Sequence, residues 1–447
     1  MAVIGFCIHP ITGSVHATLK LAKQLRTAGH QIYYLGVPDC EEYIDRYGFD
    51  FISVFGEWFP RGWLKNGPSP TVSKSTLKTF FWVRERMRWV NKFIQALIKG
   101  EDKEFVDSIR RLQPRLIIIV ATHYDSFIWA LLSYKAGIRC IYLHDTLCRS
   151  AGDGMPPITT GIVPRKTLFS RFIVTFSWKY LFFKRFLYQE IMMRGVNLYS
   201  KRLIRNFAES CGYPVDEIDF HTDMLAPKLN LPELVLCPSS FDFPDAVNTR
   251  RYYAEASIDF ERKEAEFPWE KIDPCHPIIY CALGSLSILP KKVYRRFFQG
   301  VIRVADMHPE YNWVVATGET QILHELGIVP CNVIIVDVAP QMALLQRASL
   351  MINHGGTNTV KECMISGVPI IAFPIGFDTY GNTARVVYHG LGIKGDIRKI
   401  NPDILDDLFQ KIQSTPSFQV RASIMKKVCI EKENAQLALN FIETFLK

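Results

Sequence analysis

Six consecutive residues, His354-Gly355-Gly356-Thr357-Asn358-Thr359, join an imidazole, two glycines and three hydrogen-bonding side chains directly after an apolar run. Glu362 follows one helical turn beyond Asn358, and Asp378 and Asn382 come after Gly367-Val368-Pro369. Glycines let backbone N–H groups approach a ligand closely, and the free N–H groups that open a helix hold an anion without any lysine. His354 adds a hydrogen bond, or a positive charge when protonated, and Glu362 is placed to accept from a ribose hydroxyl. The chemistry that suits this spacing is the holding of a phosphate with hydroxyl-bearing groups beside it. The plainer alternative is a glycine-rich turn leading into an ordinary capped helix. A second set of polar residues, His9, His123 with Asp125, and His144 with Asp145, follows three apolar runs in the first third of the chain. A histidine oriented by a carboxylate is a common general base, although any one of these, taken singly, reads more simply as a solvated loop residue.

The elements that must carry these residues are βα units. Val3 to Ile8 is a short apolar run, followed by His9-Pro10-Ile11-Thr12-Gly13 and a helical pattern with Val15, Leu19, Ala22 and Leu25 on one side. Gly29 ends that helix and Gln31 to Gly36 reads as the next strand. Leu116 to Val120 and Arg139 to Leu143 repeat the pattern around a helix over Ser126 to Ala136. A second series has strands at Ile278 to Cys281, Trp313 to Ala316, Val333 to Val336, Leu350 to Ile352 and Ile370 to Phe373. Strands buried on both faces and joined through helices imply parallel sheets, and 447 residues exceed one ordinary core. The expected class is α/β, two facing Rossmann-like domains: 1–258, a linker over 259–276 that is rich in charge and proline, and 277–447, with a last helix that can return to the first domain. In open sheets of this kind ligands bind beyond the carboxyl ends of the strands, where the polar residues above fall. No Walker-type loop is present, and the Gly390-Leu391-Gly392-Ile393-Lys394-Gly395 match follows a helical stretch, so it reads as a helix-ending turn.

The stretch from Val338 to Asn382 resembles the nucleotide-sugar-dependent glycosyltransferases of the large GT-B family that includes plant secondary-metabolite, macrolide and carotenoid enzymes. The resemblance implies that Gln341 lies near base and ribose, and that His354, Gly356, Asn358 and Thr359 hold the diphosphate. It further implies that Glu362 takes the ribose and Asp378 the sugar hydroxyls, with Gly284-Ser285 facing the diphosphate from the other side. Val338 stands where many plant members stack a tryptophan on the base, and Thr379 where they have a glutamine on the sugar. The implied co-substrate is a UDP-sugar, glucose by family frequency, with no metal and no other cofactor. The implied acceptor is a hydrophobic small molecule bearing a hydroxyl.

One departure concerns the base. The family's catalytic histidine opens the first helix, where this sequence has Ser14 in Gly13-Ser14. His16 lies two residues on, but about 200° round the helix, with Lys20, Lys23 and Thr27 on a face that reads as solvated. His16 leads the candidates, followed by His123 and then by His9 and His144, with Asp125 as the orienting acid. The further alternatives are an acceptor acidic enough to need no base, a GT-B protein that binds a nucleotide sugar or lipid without turnover, and a nucleotide-sugar epimerase.

Charge adds a second clue. The net charge is +9, and Arg165 to Arg205 alone holds ten basic residues and one acid, Glu190, so the remainder is neutral. The same segment holds ten aromatic residues in a helical pattern. Interleaved basic and aromatic residues suit docking on an anionic bilayer; the alternatives are an ordinary helical pair and, least in keeping with the phosphate motif, nucleic acid. Eleven scattered cysteines without a CxxC pair, no signal-peptide pattern and no long uncharged apolar run give a cytoplasmic expectation, with peripheral contact at the inner membrane face through 165–205.

Overall fold

The computed structural model describes residues 1–63, 76–121, 125–196, 200–224, 226–244, 250–284, 289–318 and 325–447, and thirteen strands form among the described residues. The N-terminal sheet comprises β1 (Val3–Cys7), β2 (Gln31–Gly36), β3 (Asp50–Ser53), β4 (Leu116–Val120), β5 (Cys140–His144), β6 (Glu233–Val235) and β7 (Arg251–Tyr253). The C-terminal sheet comprises β8 (Ile278–Ala282), β9 (Asn312–Ala316), β10 (Val333–Val336), β11 (Ala348–Asn353), β12 (Ile370–Ala372) and β13 (Gly392–Lys394). Every pairing is parallel, in the orders β3-β2-β1-β4-β5-β6-β7 and β10-β9-β8-β11-β12-β13. β4, β5, β8 and β9 are buried along their whole length, as strands covered by helices on both faces must be. The strand order reverses between β1 and β4 in the first sheet and between β8 and β11 in the second, so the crevices fall there.

Four short strands, β3, β6, β7 and β13, carry no apolar run that announces them. β6 and β7 are set by tertiary pairing: Glu233 faces Arg251 in register, and Arg251 Nε donates to Glu233 Oε2 at 2.7 Å. The Gly390 to Gly395 stretch is corrected in part, since Gly390 ends a helix at φ 64° but Gly392–Lys394 is β13.

The two domains share one hydrophobic cluster, in which Leu147, Ile158, Val235, Phe241 and Ile258 pack with Ile278, Val314, Met351, Val360 and Val386. An ionic clasp lies beside it. Asp242 accepts from Arg385 Nε at 2.9 Å and Nη2 at 2.8 Å, from Tyr253 at 2.7 Å and from Arg149, all buried or nearly so. Burial alone would raise the Asp242 carboxyl, but Arg385 and Arg149 overcome it and hold the group well below the usual carboxylate range. Lys361, fully buried, donates to the Leu236 carbonyl at 3.1 Å. The final helix, Leu437–Leu446, crosses to the first domain, where Ala438, Ile442 and Leu446 join the core under β1 and β4.

Removing the charge from Asp242 strands two guanidinium groups in the interior, so Asp242→Asn should cost about 3–5 kcal/mol in urea denaturation. pH acts through His144, which is 1% exposed and lies 2.9 Å from Glu233. Burial, aided by Lys228 and opposed by Glu233, pushes its imidazole down to about 4. The unfolded imidazole takes a proton near about 6.5. The unfolded chain therefore binds more protons between these values, and stability present above 6.5 is lost as pH falls toward 4. Denaturation midpoints measured from pH 7 down to pH 4 should fall across that window.

Candidate active site

The carboxyl ends of β8 and β11 flank the C-terminal crevice, and His354 leaves β11 there. A Cβ on Gly284 would stand 2.4 Å from His354 Cε1, and one on Gly356 would stand 2.5 Å from Nε2. Both positions must be glycine for the imidazole to lie between them, and Gly284 also has φ +81°. Burial pushes His354 down to about 4, so the ring is neutral at pH 7 and offers a hydrogen bond, not the charge that the sequence left open. Its Nδ1 is buried without a hydrogen-bond partner.

The Thr357–Ser366 helix starts at Gly356 with no side-chain cap and no acid in its first turn, so its opening N–H groups remain available to an anion. Its orientation is fixed from below. Asn382 Nδ2 donates to the Gly355 carbonyl at 3.0 Å, to Thr357 Oγ1 at 2.9 Å and to Asp378 Oδ2 at 3.0 Å, and Thr357 donates to the same Asp378 oxygen at 2.6 Å. Burial raises the Asp378 carboxyl against these bonds, and none of them uses its Oδ1.

The opposite wall comes from the first domain. The Thr12–Thr27 helix also begins without a cap or an acid, and Asn358 Nδ2 donates across the cleft to the Gly13 carbonyl at 2.6 Å. Two uncapped helix starts, one from each domain, thus meet at one place. At the β1–β4 reversal, His9 Nδ1 lies 3.4 Å from Asp125 Oδ2, and the same oxygen accepts from Trp129 Nε1 at 3.3 Å. Asp125 stands at the start of the Ser126–Lys135 helix without capping it, its carboxylate turned to His9 and Trp129 instead. Ser14 Oγ donates to Asp145 Oδ2 at 3.1 Å in a buried pair.

Several sequence expectations need correction. His16 is not on a solvated face. Lys20 pairs with Glu433 and Lys23 with Asp259 at 2.7 Å, so that side packs on the linker and the last two helices. His16 Nε2 is bonded to Tyr47 Oη at 2.8 Å, and burial, then Arg262, pushes the imidazole down to about 4. Its hydrogen-bond partner is a phenol, not a carboxylate. His144 belongs to the buried Lys228–Glu233–Arg251 cluster and is likewise removed as a base. Glu362 is 1% exposed, with Oε1 held by Arg262 and Oε2 by Gln341 Nε2. Its oxygens therefore belong to a buried network with Arg262 and Gln341. Gln341 is tied into it through Tyr280 at 3.3 Å and Thr359 at 3.4 Å. Thr379 is spent in its own turn, accepting from Ile375 and Gly376 N–H at 3.1 Å and donating to the Gly376 carbonyl at 2.5 Å. His123 and Ser285 lie outside the described residues.

Arg262 was missed because it sits in a segment that reads as linker. The charge alternation from Asp259 to Glu266 was the available signal: Glu264 accepts from Met342 N–H at 2.8 Å and Ala343 N–H at 3.1 Å, so this segment caps part of the site. Val338 is 66% exposed and presents only an aliphatic surface where the resemblance places a stacking ring. Among the described residues, no group of three His, Cys, Asp or Glu side chains converges as a metal site.

Residues 304–435 match the family model described as "Erythromycin biosynthesis protein CIII-like, C-terminal domain". The NDP-glycosyltransferase YjiC of Bacillus subtilis is 27% identical over 223 residues, 49% of this chain and 55% of that protein. The oleandomycin glycosyltransferase of Streptomyces antibioticus is 25% identical over 214 residues, 48% of this chain and 49% of that protein. The matched region thus spans about half the length of these curated relatives. The solved structure of the glycotransferase of kitacinnamycin superposes with a TM-score of 0.71 at 20% identity, covering 99% of this chain and 98% of that one. The fold is therefore GT-B, two facing parallel-sheet domains. The chain is thus similar to GT-B glycosyltransferases, and residues 304–435 resemble an EryCIII-like C-terminal domain.

Gly356 has φ −64°, so alanine there strains nothing except the contact with His354. Gly356→Ala should displace the buried His354 ring, lower the melting temperature modestly and weaken binding of a nucleoside diphosphate by about tenfold or more in calorimetry, the loss of one hydrogen bond to a charged group.

Proposed function

We propose that the protein is an inverting glycosyltransferase. It moves a hexosyl group, with UDP-glucose the first donor to test, from a nucleoside diphosphate to a hydroxyl of a hydrophobic small molecule. It acts in the cytoplasm, at the inner membrane face. The observation that carries this reading is the meeting of the two uncapped helix starts through Asn358 and Gly13, with His9, in the loop that leads to Gly13, paired to Asp125. The relatives named above supply the reaction class.

The chemistry assigned to these residues balances without a metal. With Nδ1–H directed at Asp125, His9 takes the acceptor proton on Nε2, and Asp125 fixes the tautomer and steadies the imidazolium. The acceptor oxygen attacks the anomeric carbon, whose bond to the diphosphate oxygen breaks with inversion. The charge that develops on the leaving diphosphate is stabilised by the helix N–H groups and by neutral His354, while Asp378 Oδ1 accepts from a sugar hydroxyl. Ser14 takes no proton in this scheme; it holds Asp145. A second reading, a nucleotide-sugar binder without turnover, is favoured by one observation, that serine stands in the family's histidine position and is buried against Asp145.

Incubation with UDP- and dTDP-sugars and with phenolic, carotenoid and polyketide acceptors should give a glycoside and free nucleoside diphosphate. On a working acceptor, His9→Ala should lower kcat by about 10²–10⁴-fold with donor affinity unchanged, while His16→Ala should keep most of the rate. Full activity in His9→Ala would overturn the assignment of the base. Tight donor binding with no product from any acceptor would favour the second reading.

A further inference from the structure

Most of the basic, aromatic segment of the first domain is one long helix, Leu168–Phe186, continued by a wide turn of helix over Leu187–Met192, and its last residues open a separate helix, Lys201–Ser210. Its inward face is small and specific: Ser170, Val174, Ser177 and Trp178 are buried, and Trp178 Nε1 donates to the Met155 carbonyl at 2.8 Å. The outward face is not polar. Phe169, Phe172, Phe176, Tyr180, Phe183 and Leu187 are between 37% and 72% exposed. At about 100° per residue they lie within roughly 80° of arc, on the side away from the buried residues. Ile191 and Met192 extend the surface. A second helix adds exposed Phe81, one turn from Arg84, which donates to the carbonyls of Met192 and Arg194. Scattered exposed apolar residues are ordinary, but a continuous aromatic ridge of this length marks a contact surface.

The charges beside the ridge decide what it contacts. Lys179 and Lys184 are exposed and fall on its two flanks, and Arg165 and Arg171 are exposed on the same segment. A second copy of this chain would bring two such segments face to face, and like charge opposes that pairing. Single-stranded nucleic acid is held in charged grooves whose rings stack on bases, whereas this ridge is convex. Rings along the crest and lysines on both sides match a bilayer interface, with apolar side chains among the upper acyl chains and ammonium groups at anionic headgroups.

We propose that the Leu168–Met192 helix docks the protein on an anionic lipid surface through this ridge. The inference deepens the membrane-face part of the reading above and is independent of the transfer chemistry. The docked element is connected to the cleft: Trp178 holds the Met155 backbone, and three residues later the Ile158 carbonyl accepts from Gly381 N–H at 2.8 Å, in the helix that follows Asp378. No helix among the described residues is long and apolar enough to cross a membrane, so the contact is at the surface.

The full chain should be floated with vesicles of phosphatidylcholine alone and of phosphatidylcholine with 30% phosphatidylglycerol. The proposal expects at least tenfold more protein on the anionic vesicles, most of it released by 0.5 M salt. Phe172→Ser with Phe176→Ser and Phe183→Ser should abolish flotation. Lys179→Ala with Lys184→Ala should lower it several-fold. Both variants should keep the melting temperature and the donor affinity, since these side chains are exposed, so failure of docking and failure of the catalytic reading are read separately. Equal binding to both vesicles, no binding to either, binding to a single-stranded oligonucleotide instead, or a dimer in sedimentation that the phenylalanine variants dissolve would each overturn it.

Discussion

The Asp242 carboxylate, shared by Arg385 of the second domain and by Arg149 and Tyr253 of the first, fixes the separation of the two sheets. Charges this deep are tolerated only when paired and hydrogen-bonded, so the clasp has one geometry and little freedom around it. The apolar cluster that spans both domains supplies the burial; the clasp supplies the register. With that register set, the two uncapped helix starts meet, and Asn358 can reach the Gly13 carbonyl. A phosphate site made of backbone N–H groups works only while those groups point at one place, which is why the clasp, although outside the cleft, bears on its chemistry.

Within the donor half, the limiting constraint is space. His354 lies against two glycines that leave no room for a Cβ, and Asn382 ties the turn, the helix start and Asp378 together from beneath. Burial keeps the imidazole neutral, so attraction for phosphate rests on helix termini and hydrogen bonds more than on formal charge. The protein's surplus charge lies elsewhere, on the helix with the exposed aromatic ridge. The uncapped helix start and the surplus charge thus belong to different parts of the chain.

Much of the fold was legible because buried parallel strands need unbroken apolar runs, and β1, β2, β4, β5 and the central strands of the second sheet all have them. β3, β6, β7 and β13 were not legible, since three or four residues that mix charged or polar with apolar side chains leave neither a run nor a period to read. In the site, glycine, histidine and asparagine at fixed spacing declared a helix-start anion site. The family resemblance implied a ribose-facing Glu362 and a sugar-facing Thr379, and both side chains proved to be engaged by their own neighbours. A hydroxyl or carboxylate has the same letter whether it waits for a ligand or closes a turn.

The sequence by itself determined the class of fold, the glycine-led helix start after His354, the absence of the usual histidine at Ser14 and the place of all the net charge. Those follow from residue type and local period, which do not depend on distant partners. Only the tertiary structure decided that His9 is the histidine facing Asp125, that His16 and His144 are bound elsewhere, that Arg262 belongs to the site, and that the rings of the basic helix point outward. Each of these is a matter of which side chain meets which across some 30 to 116 residues of chain, or of which face of a helix finds a core, and packing alone settles that.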